Sequence, residues 1–123
     1  MGDTVVTTVD SVGRSLEQAW GRDTSADPDL WSEDNPSWGQ CAVTALVVQD
    51  MFGGDLLRGM VGEVSHYWNR LADGTVLDFT RQQFQEEEVN PTDVGIRDRD
   101  YVLSYPPTVV RYEILAGRMR GAR

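Results

Sequence analysis

The apolar positions along this chain change their period repeatedly, and each change predicts an element. From Thr8 to Trp20, the residues Val9, Val12, Leu16, Ala19 and Trp20 recur at helical spacing, with Asp10 in the first turn, which predicts an amphipathic helix. The next stretch, "GRDTSADPDLWSEDNPSWG", has no period and is crowded with Asp, Ser, Pro and Gly, so it predicts a long loop. Within a small domain a loop of that length tends to be functional, and this one delivers the chain to Cys41. From Gln40 to Met51 the sequence "QCAVTALVVQDM" is apolar on most sides, as a helix buried in the core would be, and Gly53 and Gly54 supply its stop.

Three short runs follow, "DLLRGMV", "EVSHYWNRL" and "TVLDFT", rich in β-branched, aromatic and leucine residues and punctuated by "VGE" and "ADG". They predict an antiparallel meander. "RQQFQEEEVNPTDVGIRDRD" reads as a short helical turn and then a polar loop, with "QEEEVN" a solvated acidic turn. Finally "TVVRYEILAGRMRGA" carries Val109, Tyr112, Leu115 and Met119 at helical spacing behind "PP", with Thr108 as the expected N-cap. The expectation is one α+β domain over residues 1–123. Its central helix carries Cys41 at the N-terminus and packs on a small antiparallel β-meander, flanked by the N- and C-terminal helices.

Composition narrows the function more than the fold. At 123 residues with 40% apolar positions, the chain is long enough to bury one core. It holds no stretch of about 18 apolar residues, and its start, "MGDTVVTTVDSVGRSLEQAW", is acidic where a signal peptide is basic and then apolar. Gly2 follows Met1, but Val6 stands where a myristoylation signal has Ser or Thr. A soluble, cytoplasmic chain with no membrane partner is expected. The net charge of -9 opposes binding to nucleic acid, and its sharper reading is a cationic substrate or partner. The basic tail "GRMRGAR" reads as the solvated end of a helix. One Cys forms no internal disulfide, and one Cys with one His is too few for a structural zinc site. No metal and no cofactor is expected, which leaves free-thiol chemistry or simple packing for Cys41.

A thiol becomes a useful nucleophile when its pKa falls, and a helix N-terminus and a nearby imidazolium both do that. Cys41 has the first by position, and His66, the sole histidine, lies in the middle of the second predicted strand. The next strand carries Asp78, the candidate to orient the imidazole. Reach depends on the hairpin between them. A two-residue turn at Asp73-Gly74 pairs Asn69 with Asp78 and puts the carboxylate on the face opposite His66. A three-residue loop, Ala72 to Gly74 with Gly74 left-handed, pairs Trp68 with Asp78 and Thr80 with His66. Asp78 is then a diagonal neighbour of His66.

Acyl transfer through a thiolate also needs donors aimed at the oxyanion. The backbone N–H of Cys41 at the helix start is one, and the amide of Asn35 or Gln40 is the side-chain candidate, with Gly39 allowing close approach of substrate. Trp38, Trp68 and Asn69 are the candidate substrate contacts, with Trp31, Tyr67 and Arg70 close to the same region; aromatic residues there serve a core equally well.

The order of Cys on a helix start, His on one strand and Asp on the next resembles the papain-like and transglutaminase-like cysteine enzymes. In papain-like proteases a glutamine six positions before the nucleophile donates to the oxyanion and a glycine stands two before it; here those positions hold Asn35 and Gly39, and Ala42 replaces the aromatic residue that often follows the cysteine. A nearly full-length resemblance is to the small bacterial YunG-like family, carried by "AWGRDTS", "NPSWGQCAVTALVVQDMFGG", "SHYWNRLADGTVLDFTRQQF" and "TVVRYEIL". That resemblance implies a shared fold and brings no reaction with it. The reaction expected from the residues is attack by Cys41 on an amide or ester of a small molecule or peptide, with His66 moving the proton and Asp78 holding the ring. Water as acceptor makes a hydrolase and an amine makes a transferase. The rival expectation is a binding or regulatory module whose Cys41 is buried and inert; a redox-sensing thiol would lack a resolving cysteine in the chain.

Overall fold

The computed structural model describes residues 8–84 and 90–121. The expected acidic turn "QEEEVN" lies mostly outside them, as do Gly2, Val6 and the last two residues of the basic tail. Helix α1 spans Val9–Ala19 and begins with a reciprocal cap, the Thr8 hydroxyl accepting from the Ser11 N–H and the Ser11 hydroxyl from the Thr8 N–H. Helix α2 spans Cys41–Phe52, and Gly53 ends it with a φ of 73°. Strands β1 (Asp55–Val61), β2 (Val64–Arg70), β3 (Val76–Leu77) and β4 (Thr92–Arg97) follow, then the short helix α3 (Arg99–Val102) and helix α4 (Pro106–Gly121).

The strands form one antiparallel sheet in the order β3-β2-β1-β4. This corrects the three-stranded meander, because β4 comes from the stretch expected to be a polar loop. Its side chains are mostly exposed and Asp93 takes a left-handed φ of 54°, so it carries neither an apolar face nor a regular period. It exists because β1 offers it an edge: Leu56 pairs with Arg97 and Arg58 with Gly95, with a bulge between Arg58 and Met60. At the other edge β3 is shorter than expected, since pairing stops at Leu77 and residues 78–80 turn away. The last helix also starts earlier than its expected cap. Pro106 and Pro107 occupy its first turn, where a missing N–H costs nothing, and Thr108 is buried inside the helix.

Helix α2 is apolar on most sides because it is enclosed on most sides. Val43, Val47 and Val48 pack with Val12, Leu16, Ala19 and Trp20 from the α1 segment and with Leu115, Ala116 and Met119 of α4. On its sheet side Ala45 and Leu46 meet Leu56 and Val102. Two polar bonds fix its position: the Trp20 indole donates to the Thr44 hydroxyl at 2.9 Å, and the Asn69 amide donates to the Ala45 carbonyl at 2.9 Å. Arg99 at the start of α3 ties the far side together, donating to Gln49 and pairing with Asp50 at 2.8 Å.

Candidate functional site

His66 is fully buried, at 0% exposure, in the middle of β2. A buried imidazole needs partners for both ring nitrogens. Nε2 lies 2.7 Å from Asp78 Oδ2. The hairpin explains why Asp78 reaches it: Asn69 pairs with Leu77 and Arg70 with Val76, and the Leu71 N–H donates to the Thr75 carbonyl. That is the register of the three-residue loop Ala72 to Gly74, with Gly74 at a φ of 91°. The same register places Asp78 on the face of His66, one step along the strand. Trp68, on that face two residues from His66, stacks on the imidazole with ring centroids 5.5 Å apart, and Phe84 meets it edge-on at 5.0 Å.

Cys41 is the first residue of α2 and half-buried. Because β3 has ended at Leu77, the first part of β2 is open along that edge, and the Cys41 thiol comes to 3.9 Å from the Ser65 carbonyl there. It also neighbours the His66 ring. Burial pushes the imidazole pKa down, since it disfavours the cation. Hydrogen bonding to Asp78 and to Cys41, and the negative charge of both, more than offset this, and the His66 pKa rises from 6.5 to about 9.

The loop ahead of Cys41 is anchored by a residue that the sequence did not single out. Gln83 is buried on the 3₁₀ turn Arg81–Phe84. Its side-chain oxygen accepts from the Gly39 N–H at 3.2 Å, its side-chain nitrogen lies 3.4 Å from His66 Nδ1, and its backbone carbonyl accepts from the Asn35 amide at 2.9 Å. Nothing in "RQQF" distinguishes Gln83 from its neighbour Gln82; only the turn decides which of the two faces inward.

The candidate oxyanion donors separate. Asn35 is half-buried and spends one amide hydrogen on the Gln83 carbonyl. Gln40 is buried and donates instead to the Gly21 carbonyl at 2.9 Å, so it anchors the loop after α1. It makes no side-chain cap on α2, and the first N–H groups of that helix have no partner within the helix. The candidate substrate contacts separate as well. Trp68 and Asn69 are both buried: Trp68 packs on His66, and Asn69 points to the opposite face of the sheet and holds α2. Trp38 is half-buried, and its indole donates to Asp27 at 3.1 Å.

A cleft of about 260 Å³ opens beside the start of α2, lined by Ala42, Tyr67, Tyr101, Val102, Ser104, Tyr105 and Thr108. Ala42, the residue after Cys41, brings its wall next to the thiol in sequence, and burial pushes the Tyr67 phenol pKa up. No three His, Cys, Asp or Glu side chains among the described residues gather as a metal ion would require. No helix among them is long and apolar enough to cross a membrane.

A family described as "YunG protein" matches residues 8–122. The chain is 49% identical over 70 residues to "Uncharacterized protein YunG" of Bacillus subtilis (strain 168), a match that covers 57% of this chain and 57% of the relative. No solved structure matches. With every described residue inside the matched region, the chain belongs to the YunG family.

Proposed function

We propose that this protein is a cysteine-dependent acyl-transfer enzyme with a papain-like arrangement of groups, Cys41 as nucleophile, His66 as proton carrier and Asp78 as the residue that orients the ring. The observation that carries this reading is the buried His66, held at 2.7 Å by Asp78 with the sole thiol beside it. A buried ion pair is weak evidence for a purely structural role, because apolar residues of similar volume often stabilise a fold as well. Next to a thiol the same pair performs nucleophilic catalysis.

In the proposed cycle Cys41 Sγ attacks the carbonyl carbon of an amide or ester. The first N–H groups of α2 stabilise the oxyanion, joined by the second amide hydrogen of Asn35. His66 gives its proton to the departing amine or alcohol, which leaves an acyl group on sulfur. It then takes a proton from the incoming water or amine, and the acyl group passes to that acceptor. A working free thiol suits a reducing compartment, which favours the cytoplasm.

The test is the rate of Cys41 alkylation by iodoacetamide against pH, in the wild type and in His66→Ala, together with hydrolysis of chromogenic esters by the wild type and Cys41→Ala. Alkylation that persists well below pH ~8 and is lost in His66→Ala supports the reading. A thiol that is inaccessible, or that titrates near the free value of about 8.5, overturns it in favour of a non-catalytic module with a packing cysteine.

A further inference from the structure

The cleft beside Cys41 carries a specific chemistry. Its wall begins at Ala42, the residue after the thiol, and continues through Tyr67, Tyr101 and Tyr105. Tyr101 and Tyr105 are 55% and 60% exposed, so both keep much of their surface open to solvent at the rim. Aromatic faces left open around a concave surface are a binding feature more often than a packing one. The cleft is smaller than a drug-sized pocket, which begins near ~300 Å³, and suits a single ring-sized group.

Two guanidinium groups stand beside tyrosines of its wall, Arg58 beside Tyr67 and Arg97 beside Tyr101. Arg58 sits directly across from Tyr67 in the β1-β2 ladder and donates to Ser65 Oγ at 2.8 Å, and the carbonyl of that same Ser65 is the neighbour of the Cys41 thiol. Arg97 stands opposite Leu56, on the same sheet face as Arg58, with its guanidinium 5.9 Å from the centre of the Tyr101 ring. Elsewhere some arginines find carboxylates, Arg70 with Asp55, Arg99 with Asp50 and Arg118 with Asp23, while others are held by neutral oxygens, Arg22 by the Pro28 carbonyl and Arg111 by the Thr108 hydroxyl. Among the described residues Arg58 and Arg97 have no carboxylate partner, although the chain holds 20 acidic residues and Asp98 and Asp100 follow Arg97 closely in sequence.

We propose that the cleft lined by Ala42, Tyr67, Tyr101 and Tyr105 binds the acyl part of the substrate, and that this part is a flat, ring-sized group bearing a carboxylate or similar anion read by Arg58 and Arg97. The inference rests on Cys41 being the nucleophile. It gives the substrate the sign opposite to the one that the net charge of the chain suggests, because the field at a cleft is set by the groups lining it. Guanidinium forks suit a planar carboxylate, and the tyrosine faces suit a flat body.

The test compares two aromatic disulfides as probes of Cys41 in the folded protein. Dithiobis(nitrobenzoate) carries a carboxylate on each ring, and dithiodipyridine is neutral. Each reacts by attack of the Cys41 thiolate on one disulfide sulfur, forming a mixed disulfide and releasing the other half as a coloured thiolate or thione. The quantity read is the ratio of the two second-order rates. Arg58→Gln and Arg97→Gln are each expected to lower that ratio by about threefold or more. Tyr101→Ala is expected to slow both reagents, and Arg120→Gln, at the far end of α4, to leave the ratio unchanged. Circular dichroism checks that every variant is folded. A ratio that is the same in wild type, Arg58→Gln and Arg97→Gln overturns the anionic-substrate inference while leaving the catalytic reading standing. A native Cys41 that reacts with neither reagent overturns both.

Discussion

Asp78 Oδ2 lies 2.7 Å from His66 Nε2 across the β2-β3 hairpin, and the histidine is completely buried while the carboxylate keeps some contact with solvent. This bond fixes which ring nitrogen is left for the rest of the site. With Nε2 engaged, Nδ1 is the atom that faces Gln83. The ring therefore has one side toward the carboxylate and one toward Gln83.

The carboxylate sets the ring's proton affinity. His66 is the only histidine, so a proton NMR titration of its imidazole is free of overlap. In the wild type the ring is expected to titrate near pH about 9. Asp78→Asn removes both a hydrogen bond and a negative charge, and the midpoint is expected to move down. A midpoint unchanged in Asp78→Asn refutes the role given to the carboxylate.

The same shift makes stability depend on pH in one direction. The folded pKa of His66 is raised from 6.5 to about 9, so between those values the native state binds more protons than the unfolded state. The contribution is fully present below pH 6.5 and is lost as pH rises through about 9. Urea unfolding across that window is expected to show a falling midpoint for the wild type and a flatter profile for His66→Gln. A wild-type midpoint that rises with pH there, or a His66→Gln profile just as steep, contradicts the assignment.

Gln83 ties the loop before Cys41 to the imidazole, and Gln83→Leu removes both side-chain links while keeping the bulk. The Gly39 N–H then loses its acceptor and His66 Nδ1 loses its neighbour. The expected cost is about 1–3 kcal/mol of stability. A selective fall in Cys41 alkylation, measured under conditions where the variant is fully folded, would separate positioning from support. Equal alkylation rates would leave Gln83 a purely structural residue.

Gly39 holds a φ of 73°, and a Cβ there would press on Ser25 Oγ and stand 3.0 Å from the backbone nitrogens of Ala26 and Asp27. Gly39→Ala combines backbone strain with a steric clash, and a loss of more than about 1 kcal/mol is expected from chemical denaturation. The Ala26 N–H also donates to the Gly39 carbonyl at 2.8 Å, so the damage should extend to the turn at Ser25. A variant as stable as the wild type would show that the loop relaxes freely.

Much of this protein was legible along the chain because the governing interactions are local. The spacing of Val12, Leu16 and Ala19 defines α1, the apolar run from Cys41 to Val48 defines a helix enclosed on most sides, and Gly53 ends it. What the sequence alone could not determine depends on partners distant in the chain. Strand β4 has no strong pattern of its own and forms because β1 presents an unpaired edge. Gln40 and Asn69 are ordinary amides until the Gly21 and Ala45 carbonyls are brought to them, and Gln83 differs from Gln82 only in the direction that its turn gives it. The chain itself placed a thiol at a helix start, a histidine on a strand and an aspartate on the next. The tertiary structure decided that they share a neighbourhood, because side chains alternate along a strand and the loop from Ala72 to Gly74 has the length that brings Asp78 to the His66 face.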